Sequence, residues 1–206
     1  MSEQISITRA LAEIKTLDAR IVKATNERYV EMSVGGSVVG SNRSEDETKA
    51  AIKQKFQSFT DLVKRRNALK CAIVSSNANT KVKIGDKEML VAEAIERKNS
   101  IAFEEQMINN LRSQHRTAIS KVESTNIQAN QRLDQMIEVN LGKDRKASED
   151  DYDVIAKPFM AKNEAKLIDP LDLEALVQQL QNDVDEFKLN VDFALSEINA
   201  VTKITV

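Results

Sequence analysis

The sequence predicts an all-α protein: an antiparallel helical bundle or coiled coil of four main helices, one of them very long, with two short β-hairpins. Only 5 of the 206 residues are Gly and 2 are Pro, so long stretches carry no helix breaker. Apolar residues recur at spacings of three and four, which places them on one face of a helix. Hydrophobic residues make up 41% and charged residues 30%, a balance typical of a folded chain rather than a disordered one.

The first helix is predicted over residues 8–28. Apolar residues fill the a and d positions of three heptads, at Ile7, Ala10, Ile14, Leu17, Ile21 and Ala24, and Leu11 widens this seam. The small alanines at alternate d positions allow a partner helix to approach closely. Beyond the helix, Val30, Met32 and Val34 alternate up to Gly35-Gly36. The change of period from 3.5 to 2 predicts the first β-hairpin.

The second helix is predicted to open at Ser44. With Glu47 three residues later, Ser44 fits a capping box, and the acidic first turn suits the positive end of the helix dipole. Its expected buried stripe consists of Ile52, Phe56, Phe59, Val63, Leu69 and Ile73, interrupted by Arg66. The segment Asn77–Asn79 ends the helix, and Val82 and Ile84 alternate before Gly85, which predicts a second hairpin.

The third helix is predicted from Val91 to about Val139, because no Gly or Pro interrupts this stretch. At 1.5 Å per residue it is roughly 70 Å long, so its distal part needs another helix or another subunit to cover it. Its seam is Val91, Ile95, Ala102, Ile108, Leu111, Ala118, Val122, Ala129, Leu133 and Met136. Polar residues intrude on this seam at Lys98, Glu105, His115 and Asn126.

The last helix carries the clearest coiled-coil pattern. Gly142 is expected to end the third helix, and the polar segment 143–151 and the two prolines, Pro158 and Pro170, belong to a return connection. Asp169 or Asp172 caps the last helix. Its seam follows spacings of four and three through Leu173, Val177, Leu180, Val184, Phe187, Val191, Ala194, Ile198 and Val201. We therefore predict one bundle core from residues 1–114 and 163–206, with residues 115–162 as a helical extension and return linker.

Charge distribution predicts how the helices pair. Residues 53–70 hold six basic groups and one acid, whereas residues 172–206 hold seven acids and two bases. Opposite charges favour laying these two segments side by side. Over the whole chain the formal net charge is −2, which argues against nucleic acid as a partner because nucleic-acid binders carry a basic excess.

No residue is predicted to be catalytic, to bind a cofactor or to bind a metal. His115, the only imidazole, lies at a seam position with no nucleophile beside it, so we interpret it as structural or interfacial. The lone Cys71 is interpreted as a buried or half-buried inert thiol, because nothing supplies a base or an oxyanion hole. One cysteine also excludes a disulfide within the chain.

Three further patterns have a simpler structural interpretation. The acidic run Glu149–Asp151 with Asp153 lacks the spacing and central Gly of an EF-hand, which favours a solvated linker. Gly35-Gly36 is a turn, since no nucleotide-binding glycine motif occurs. The basic cluster Lys64-Arg65-Arg66 has too few aromatic neighbours to form a nucleic-acid surface.

The chain also lacks signals for a membrane. No apolar run approaches the ~20 residues that a spanning helix needs. The first ten residues, MSEQISITRA, lack the basic start and apolar stretch of a classical signal peptide. We therefore expect a protein of the cytoplasm or of a virion.

Two segments carry a resemblance to a known family. The first is FTDLVKRRNALKCAIVSSNANT at residues 59–80, followed by Gly85 and by LVAEAIERK at residues 90–98; the second begins at Asp172 and ends with LSEINAVTKI at residues 195–204. Together they resemble septicolysin-like bacterial proteins, which are small helical proteins. The chain departs from the family pattern at Ala200, where a Trp is expected, and in residues 115–162, which resemble an insertion.

This resemblance implies a helical bundle and, through the family's name, a cytolysin, but it carries over no catalytic residue. Two functions follow as hypotheses. The first is a non-enzymatic structural or scaffolding protein that assembles with itself or with other structural proteins through coiled-coil faces, for example in the tail, neck or baseplate of a bacteriophage. The second is a membrane-active cytolysin, in which the hairpin at residues 30–39 or the last helix would leave the bundle.

Overall fold

The computed structural model describes residues 3–40, 43–141 and 149–206. Within these ranges the chain is mostly helical, with five helices and three small antiparallel strand pairs. The elements in chain order are β1 (Gln4–Ser6), α1 (Ile7–Thr25), β2 (Ser33–Val34), β3 (Ser37–Val38), α2 (Glu45–Asn77), β4 (Lys81–Ile84), β5 (Lys87–Leu90), α3 (Val91–Leu141), α4 (Glu149–Asn163), α5 (Leu173–Val201) and β6 (Lys203–Thr205).

The chain divides into two compact units. The first unit contains residues 1–99 and 186–206, and the second contains residues 100–185. Both α3 and α5 therefore contribute one part to each unit. The boundaries expected from the sequence, near residues 114 and 163, fall inside the second unit.

Two helix starts in the first unit are fixed by side-chain caps. The Ser6 hydroxyl accepts a hydrogen bond from the Arg9 N–H at the start of α1. At α2 the predicted capping box is confirmed: the Glu47 N–H donates to Ser44 Oγ at 3.3 Å, and the Ser44 N–H donates to Glu47 Oε2 at 2.9 Å. The hydrogen bonds that the Ser44 N–H and hydroxyl donate to Glu47 Oε2 stabilise the charged carboxylate and lower the pKa of Glu47.

Both predicted hairpins are present. In β2–β3, Val34 pairs with Ser37 across Gly35 and Gly36, whose φ values of +62° and +85° suit a type I′ turn. In β4–β5, Lys81 pairs with Leu90 and Ile84 with Lys87 around a turn at Gly85. The inward residues of β4, Val82 and Ile84, are buried as their alternation predicts.

A third strand pair joins the two ends of the first unit, and the sequence did not predict it. β1 and β6 are antiparallel, with Ile5 opposite Ile204. Both isoleucines are buried in one apolar cluster, whose other buried members are Ile7, Ala10, Ile14, Leu17, Leu69 and Ile73. The core of the first unit is therefore built from elements at both ends of the chain and from α1 and α2.

Ion pairs link the basic side of α2 to α1 and the residue preceding β1. Arg65 Nε donates to Glu13 Oε1 at 2.8 Å and Arg65 Nη2 to Glu3 Oε2 at 3.1 Å; Arg66 pairs with Asp18. About three helix turns before Arg65, Lys55 pairs with Glu27, which lies beyond the end of α1. The charge pattern predicted the acidic last helix as the partner, and for Lys55, Arg65 and Arg66 that prediction is wrong, because the acids of and around α1 are already within reach.

We expect acidification to weaken the first unit through Glu13. The hydrogen bond from Arg65 holds the pKa of Glu13 below its ordinary value. A carboxylate with a lowered folded-state pKa contributes stability above its unfolded pKa of about 4.5, and this contribution is lost as the pH falls through the folded-state pKa. Urea midpoints measured between pH 7 and pH 3 should fall more steeply for the wild type than for Glu13→Gln. Arg65→Gln should flatten the profile in the same way, and an unchanged slope in both variants would contradict the assignment.

The predicted seam of α1 is buried at Ile7, Ala10, Ile14 and Leu17, but Leu11, which was expected to widen it, is exposed. The predicted seam of α2 is confirmed only in part. Leu69 and Ile73 are buried, whereas Phe56 is exposed. At 100° per residue, Phe56 lies about 140° around the helix from Leu69, so the two residues do not share a face. Phe56 instead contacts the rings of Tyr29 and Phe59, each at 6.2 Å between centroids.

The start of α3 and the end of α5 are tied together within the first unit. Lys98 pairs with Asp192, and the Arg97 guanidinium lies 4.5 Å from the centroid of the Phe187 ring. The long predicted third helix is confirmed in extent, since α3 is continuous from Val91 to Leu141. Its seam is buried only in part, since Ile95, Ala102 and Met136 are exposed. The expected end of the helix at Gly142 lies outside the described residues.

In the second unit, α3 packs against the first half of α5. Ile108, Val177 and Val184 are buried together, with Leu111 and Leu180 packed against them. The predicted seam of α5 is buried or half-buried along its length except at Val201, which is exposed.

The return connection contains a helix that the sequence did not predict. The segment expected to be a linker forms α4, with Pro158 inside the helix. A proline removes one hydrogen bond to the carbonyl four residues earlier, here that of Val154. Val154 is exposed, and the helix continues through the proline.

Candidate functional site

His115 lies beside the cap of α5 in the second unit. Its Nε2 is 3.8 Å from Oδ2 of Asp169, and both side chains are largely buried. Asp169 in turn accepts hydrogen bonds from the N–H groups of Leu171 at 3.3 Å and Leu173 at 2.7 Å. Of the two predicted caps, Asp169 is therefore the one whose side chain binds the helix start, while Asp172 adopts a positive φ of 53°. His115 therefore lies next to the carboxylate that caps α5.

Asn126, another polar residue on the α3 seam, forms hydrogen bonds with the segment between α4 and α5. Its Nδ2 donates to the Ala165 carbonyl at 2.9 Å, and its Oδ1 accepts from the Ala165 N–H at 2.7 Å. A side-chain amide that satisfies both backbone groups of one residue fixes that residue against the helix. The polar residues His115 and Asn126 on the α3 seam thus contact Asp169 and Ala165 in the connection before α5.

Cys71 is exposed, which corrects the expectation of a buried or half-buried thiol. The buried positions on this part of α2 are Leu69 and Ile73. Cys71 lies two residues from each of them, about 200° around the helix, and so faces away from the core.

The basic cluster at residues 64–66 is largely neutralised. Arg65 contacts two carboxylates and Arg66 contacts a third, all from α1 or from Glu3. Lys64 is exposed. Cations held in ion pairs between elements are less available to phosphates than free cations, which agrees with the structural interpretation of this cluster.

The acidic run also falls on a helix. The structure places Glu149–Asp151 in α4, although the side chains of residues 149–152 are not described. Asp153 pairs with Lys157 one turn later. In the part of the chain that the structure describes, no group of three or more His, Cys, Asp or Glu side chains is arranged to hold a metal ion.

Two hollows lie in an open groove between α1 and α2. One, of about 550 Å³, is lined by Glu13, Leu17, Arg20, Gln54, Gln57, Ser58, Asp61, Leu62 and Arg65, and a second of about 310 Å³ shares Gln54 and Ser58 with it. Its carboxylates already have partners, because Glu13 binds Arg65 and Asp61 accepts from Gln57 Nε2. The groove is therefore polar, open to solvent and held by its own ion pairs.

The first hairpin presents an apolar outer face. Val38 is buried on its inner face, and its cross-strand partner is Ser33. Because side chains alternate along a strand, Met32, Val34 and Val39 lie on the opposite face, and Val30 continues their pattern. These four side chains are exposed by 63%, 67%, 52% and 84% in that order.

A second apolar surface lies in the second unit, between α3 and α5. It is a shallow groove of about 330 Å³, lined by Phe103, Glu104, Met107, Ile108, Leu180 and Val184. Phe103 and Met107, one turn apart, are 75% and 56% exposed. They extend the apolar surface outward from the buried Ile108.

Comparison of the chain with models of known protein families, with curated proteins and with solved structures found no match. The resemblance to septicolysin-like proteins therefore stays a prediction. Among the described residues, no helix is both long and apolar enough to cross a membrane.

The two apolar surfaces were not predicted from the sequence. The alternation of residues 30–34 indicates a hairpin but not which of its faces is buried, and no role was predicted for Phe103 or Met107. The sequence does contain a signal for the hairpin surface. Val30, Met32 and Val34 are apolar at every second position, and a two-residue turn places Val38 opposite Ser33, on the other face of the hairpin.

Proposed function

We propose that this chain is a non-enzymatic structural protein that assembles with further copies of itself through the apolar faces of its long helices. In this proposal the helices pack as an antiparallel bundle and continue as coiled-coil contacts between subunits. A virion component of a bacteriophage, in the tail, neck or baseplate, is the setting that suits such a protein. The resemblance to septicolysin-like proteins belongs to the same proposal and concerns the helical framework.

The observation that carries the proposal is the groove of the second unit. Phe103 and Met107 lie one helix turn apart, beside the buried Ile108 and Val184 and the half-buried Leu180. Burying a large apolar side chain contributes roughly 1.5–3 kcal/mol. A helix from another copy that covered Phe103 and Met107 would extend the packing of α3 against α5 by one further row.

The ion pairs support a structural role in a second way. Two of the ion pairs, Arg65 with Glu13 and Arg66 with Asp18, join one element to another. Partly exposed pairs of this kind contribute little free energy but select which helices pack together. They act on assembly of the fold rather than on a bound substrate.

The proposal predicts that Met107→Glu reduces self-association. A charge in the centre of a buried helix contact loses hydration without gaining a partner, which opposes association. Sedimentation equilibrium of the wild type at rising concentration should give a mass above the 23.1 kDa of one chain, and Met107→Glu should shift it toward one chain. Gln106→Glu is the matched control, because it adds the same charge at an exposed position about 100° away around α3.

A wild-type protein that stays monomeric at every concentration, with its helix content intact, would count against the proposal. Equal effects of Met107→Glu and Gln106→Glu would also count against it, since they would reduce the result to net charge. Neighbouring genes for capsid, tail or baseplate proteins would support the viral setting, and their absence from the neighbourhood would oppose it.

A second candidate is a membrane-active protein, which the family resemblance implies. The exposed outer face of the first hairpin favours it, because Val30, Met32 and Val34 offer apolar side chains to a lipid surface. The acidic α5 suits anionic lipid poorly. Dye release from phospholipid vesicles tests this candidate, and vesicles that stay sealed at a high protein-to-lipid ratio would exclude it.

A further inference from the structure

We infer that the first hairpin pairs edge to edge with the same hairpin of a second copy, through β2 and the extended residues before it, in an antiparallel register centred on Met32. This contact uses a strand, whereas the proposed function uses helix faces. The two ideas therefore rest on different residues and can fail separately.

One edge of the hairpin is paired, and within residues 3–40, 43–141 and 149–206 no strand pairs with the other edge. On the far side of β3, Ser37 bridges to Ser44 and the Val38 N–H donates to the Arg43 carbonyl at 3.3 Å. The segment before α2 thus covers that edge of β3. β2 forms the other edge, and its backbone is the one that a further strand could join.

The hydrogen-bond alternation identifies the groups that point outward. The Val39 N–H donates to the Met32 carbonyl at 2.9 Å, so Met32 directs its backbone toward β3. In an antiparallel ladder the neighbouring residues direct theirs the opposite way. The outward N–H and C=O groups of this edge are therefore those of Glu31 and Ser33.

A two-fold axis through Met32 satisfies these groups. It places Glu31 opposite Ser33 of the second copy, as a pair that exchanges both backbone hydrogen bonds, and the symmetric pair forms on the other side of the axis. Met32 then faces its own counterpart at the closer, non-hydrogen-bonded spacing. Every outward backbone group of the five-residue segment at the centre has a partner.

The side chains fit the same register. The segment Val30-Glu31-Met32-Ser33-Val34 reads apolar-polar-apolar-polar-apolar in both directions. Pairing it with itself puts Val30 beside Val34 of the second copy on one apolar face, and it sets Glu31 against a serine rather than against another carboxylate. Like charges directly opposite each other would oppose pairing, and this register avoids them.

The small buried area of this contact limits the affinity between the two copies. A strand pair of five residues buries less than the roughly 1,200 Å² of the smallest standard interfaces, so alone it gives a weak dimer. Contacts through another surface would raise the effective concentration of the two hairpins and make the pairing persistent. The hairpin contact is thus suited to a protein that already has several copies close together.

Single cysteine substitutions in a Cys71→Ser background test the register directly. Met32→Cys brings the two introduced thiols to a Cα separation of about 4.5 Å, inside the range of a disulfide. Val30→Cys alone and Val34→Cys alone leave theirs about 14 Å apart, because each lies four residues from its counterpart. With diamide as oxidant, Met32→Cys should cross-link at least about tenfold faster than either, and a mixture of Val30→Cys and Val34→Cys should cross-link as a heterodimer.

A charge substitution distinguishes pairing at the β2 edge from binding of a partner over the whole apolar outer face of the hairpin. Met32→Lys sets two ammonium groups against each other across the axis and should weaken self-association. Val39→Lys places the same charge on the same face, at the residue that follows β3, and should weaken it less. Equal loss in both variants would overturn the edge-pairing inference. Binding of the wild type to phosphatidylcholine vesicles that both variants abolish equally would also overturn it and assign the face to a lipid surface.

The two proposals have distinguishable outcomes. If the wild type self-associates, Met107→Glu dissociates it and Met32→Cys forms no cross-link, the hairpin inference is wrong and the helix-face proposal stands. If Met32→Cys cross-links and the mixed pair does so as well, while Met107→Glu changes nothing, the hairpin inference stands and the helix-face proposal is wrong. Circular dichroism of each variant confirms that it retains the helical content of the wild type.

Discussion

Leu69→Ala should lower the free energy of unfolding by about 3 kcal/mol, because large-to-small substitutions in a packed core cost about 2–5 kcal/mol. The side chain of Leu69 has no exposed surface. It packs with residues of α1, β1 and β6, so a cavity at this position removes contacts between elements that are distant in the sequence. Small domains have a total stability of only about 5–15 kcal/mol, which makes this loss large.

The loss is measured as a shift in the urea midpoint at constant slope. Asn67→Ala is the matched control on the same helix: Asn67 is exposed, and alanine favours a helix slightly more than asparagine. Its free energy of unfolding should stay within about 0.5 kcal/mol of the wild type. A cost below about 1 kcal/mol for Leu69→Ala would contradict the assignment of this residue to a well-packed core.

Gly85→Ala should destabilise the first unit by about 2 kcal/mol, for two physical reasons. Gly85 has a φ of +58°, a left-handed conformation that costs an L-residue about 1–2 kcal/mol. An added Cβ would also lie 2.1 Å from Oε1 of Glu186, which must then move away. That carboxylate accepts a hydrogen bond from the Asp86 N–H at 3.2 Å, and its displacement breaks the link between the turn and α5.

Gly35→Ala distinguishes the cost of the left-handed backbone conformation from the cost of displacing Glu186. Gly35 has nearly the same φ, +62°, and an added Cβ there meets no atom within 4 Å. It should therefore show the cost of the backbone conformation alone, which we expect to be roughly half that of Gly85→Ala. In the double variant Gly85→Ala with Glu186→Ala, the second substitution should cost less than it does in the wild type, because the hydrogen bond is already lost. Strict additivity would show that the contact with Glu186 does not contribute.

Local patterns predicted the ends of elements well. Ser44 and Glu47 form the predicted capping box, and Gly35-Gly36 forms the predicted hairpin turn. The start of α3 at Val91 and its long uninterrupted course were also predicted. Each of these depends on residues within a few positions of one another, whose steric and hydrogen-bonding preferences act regardless of the rest of the fold.

Which face of an element is buried was predicted less well. Phe56 and Cys71 lie outside the buried row of α2. Their spacing places them on other faces than Leu69 and Ile73, but packing against α1 decides which face is buried. The partner of Arg65 was likewise decided by proximity to Glu13 rather than by the larger negative charge of the last helix. Charge complementarity acts over a short distance, so the helix packed alongside is the one that pairs.

The sequence by itself determined that this chain is mostly helical, where its hairpins turn and where its long helix begins, because caps, glycine turns and apolar spacing are properties of short segments. The tertiary structure decided that β1 pairs with β6, that α4 continues through Pro158, and that the apolar residues of the hairpin and of the α3–α5 groove stay exposed. These features depend on which distant segments pack together. That choice is a balance of burial over the whole unit, and no segment contains it alone.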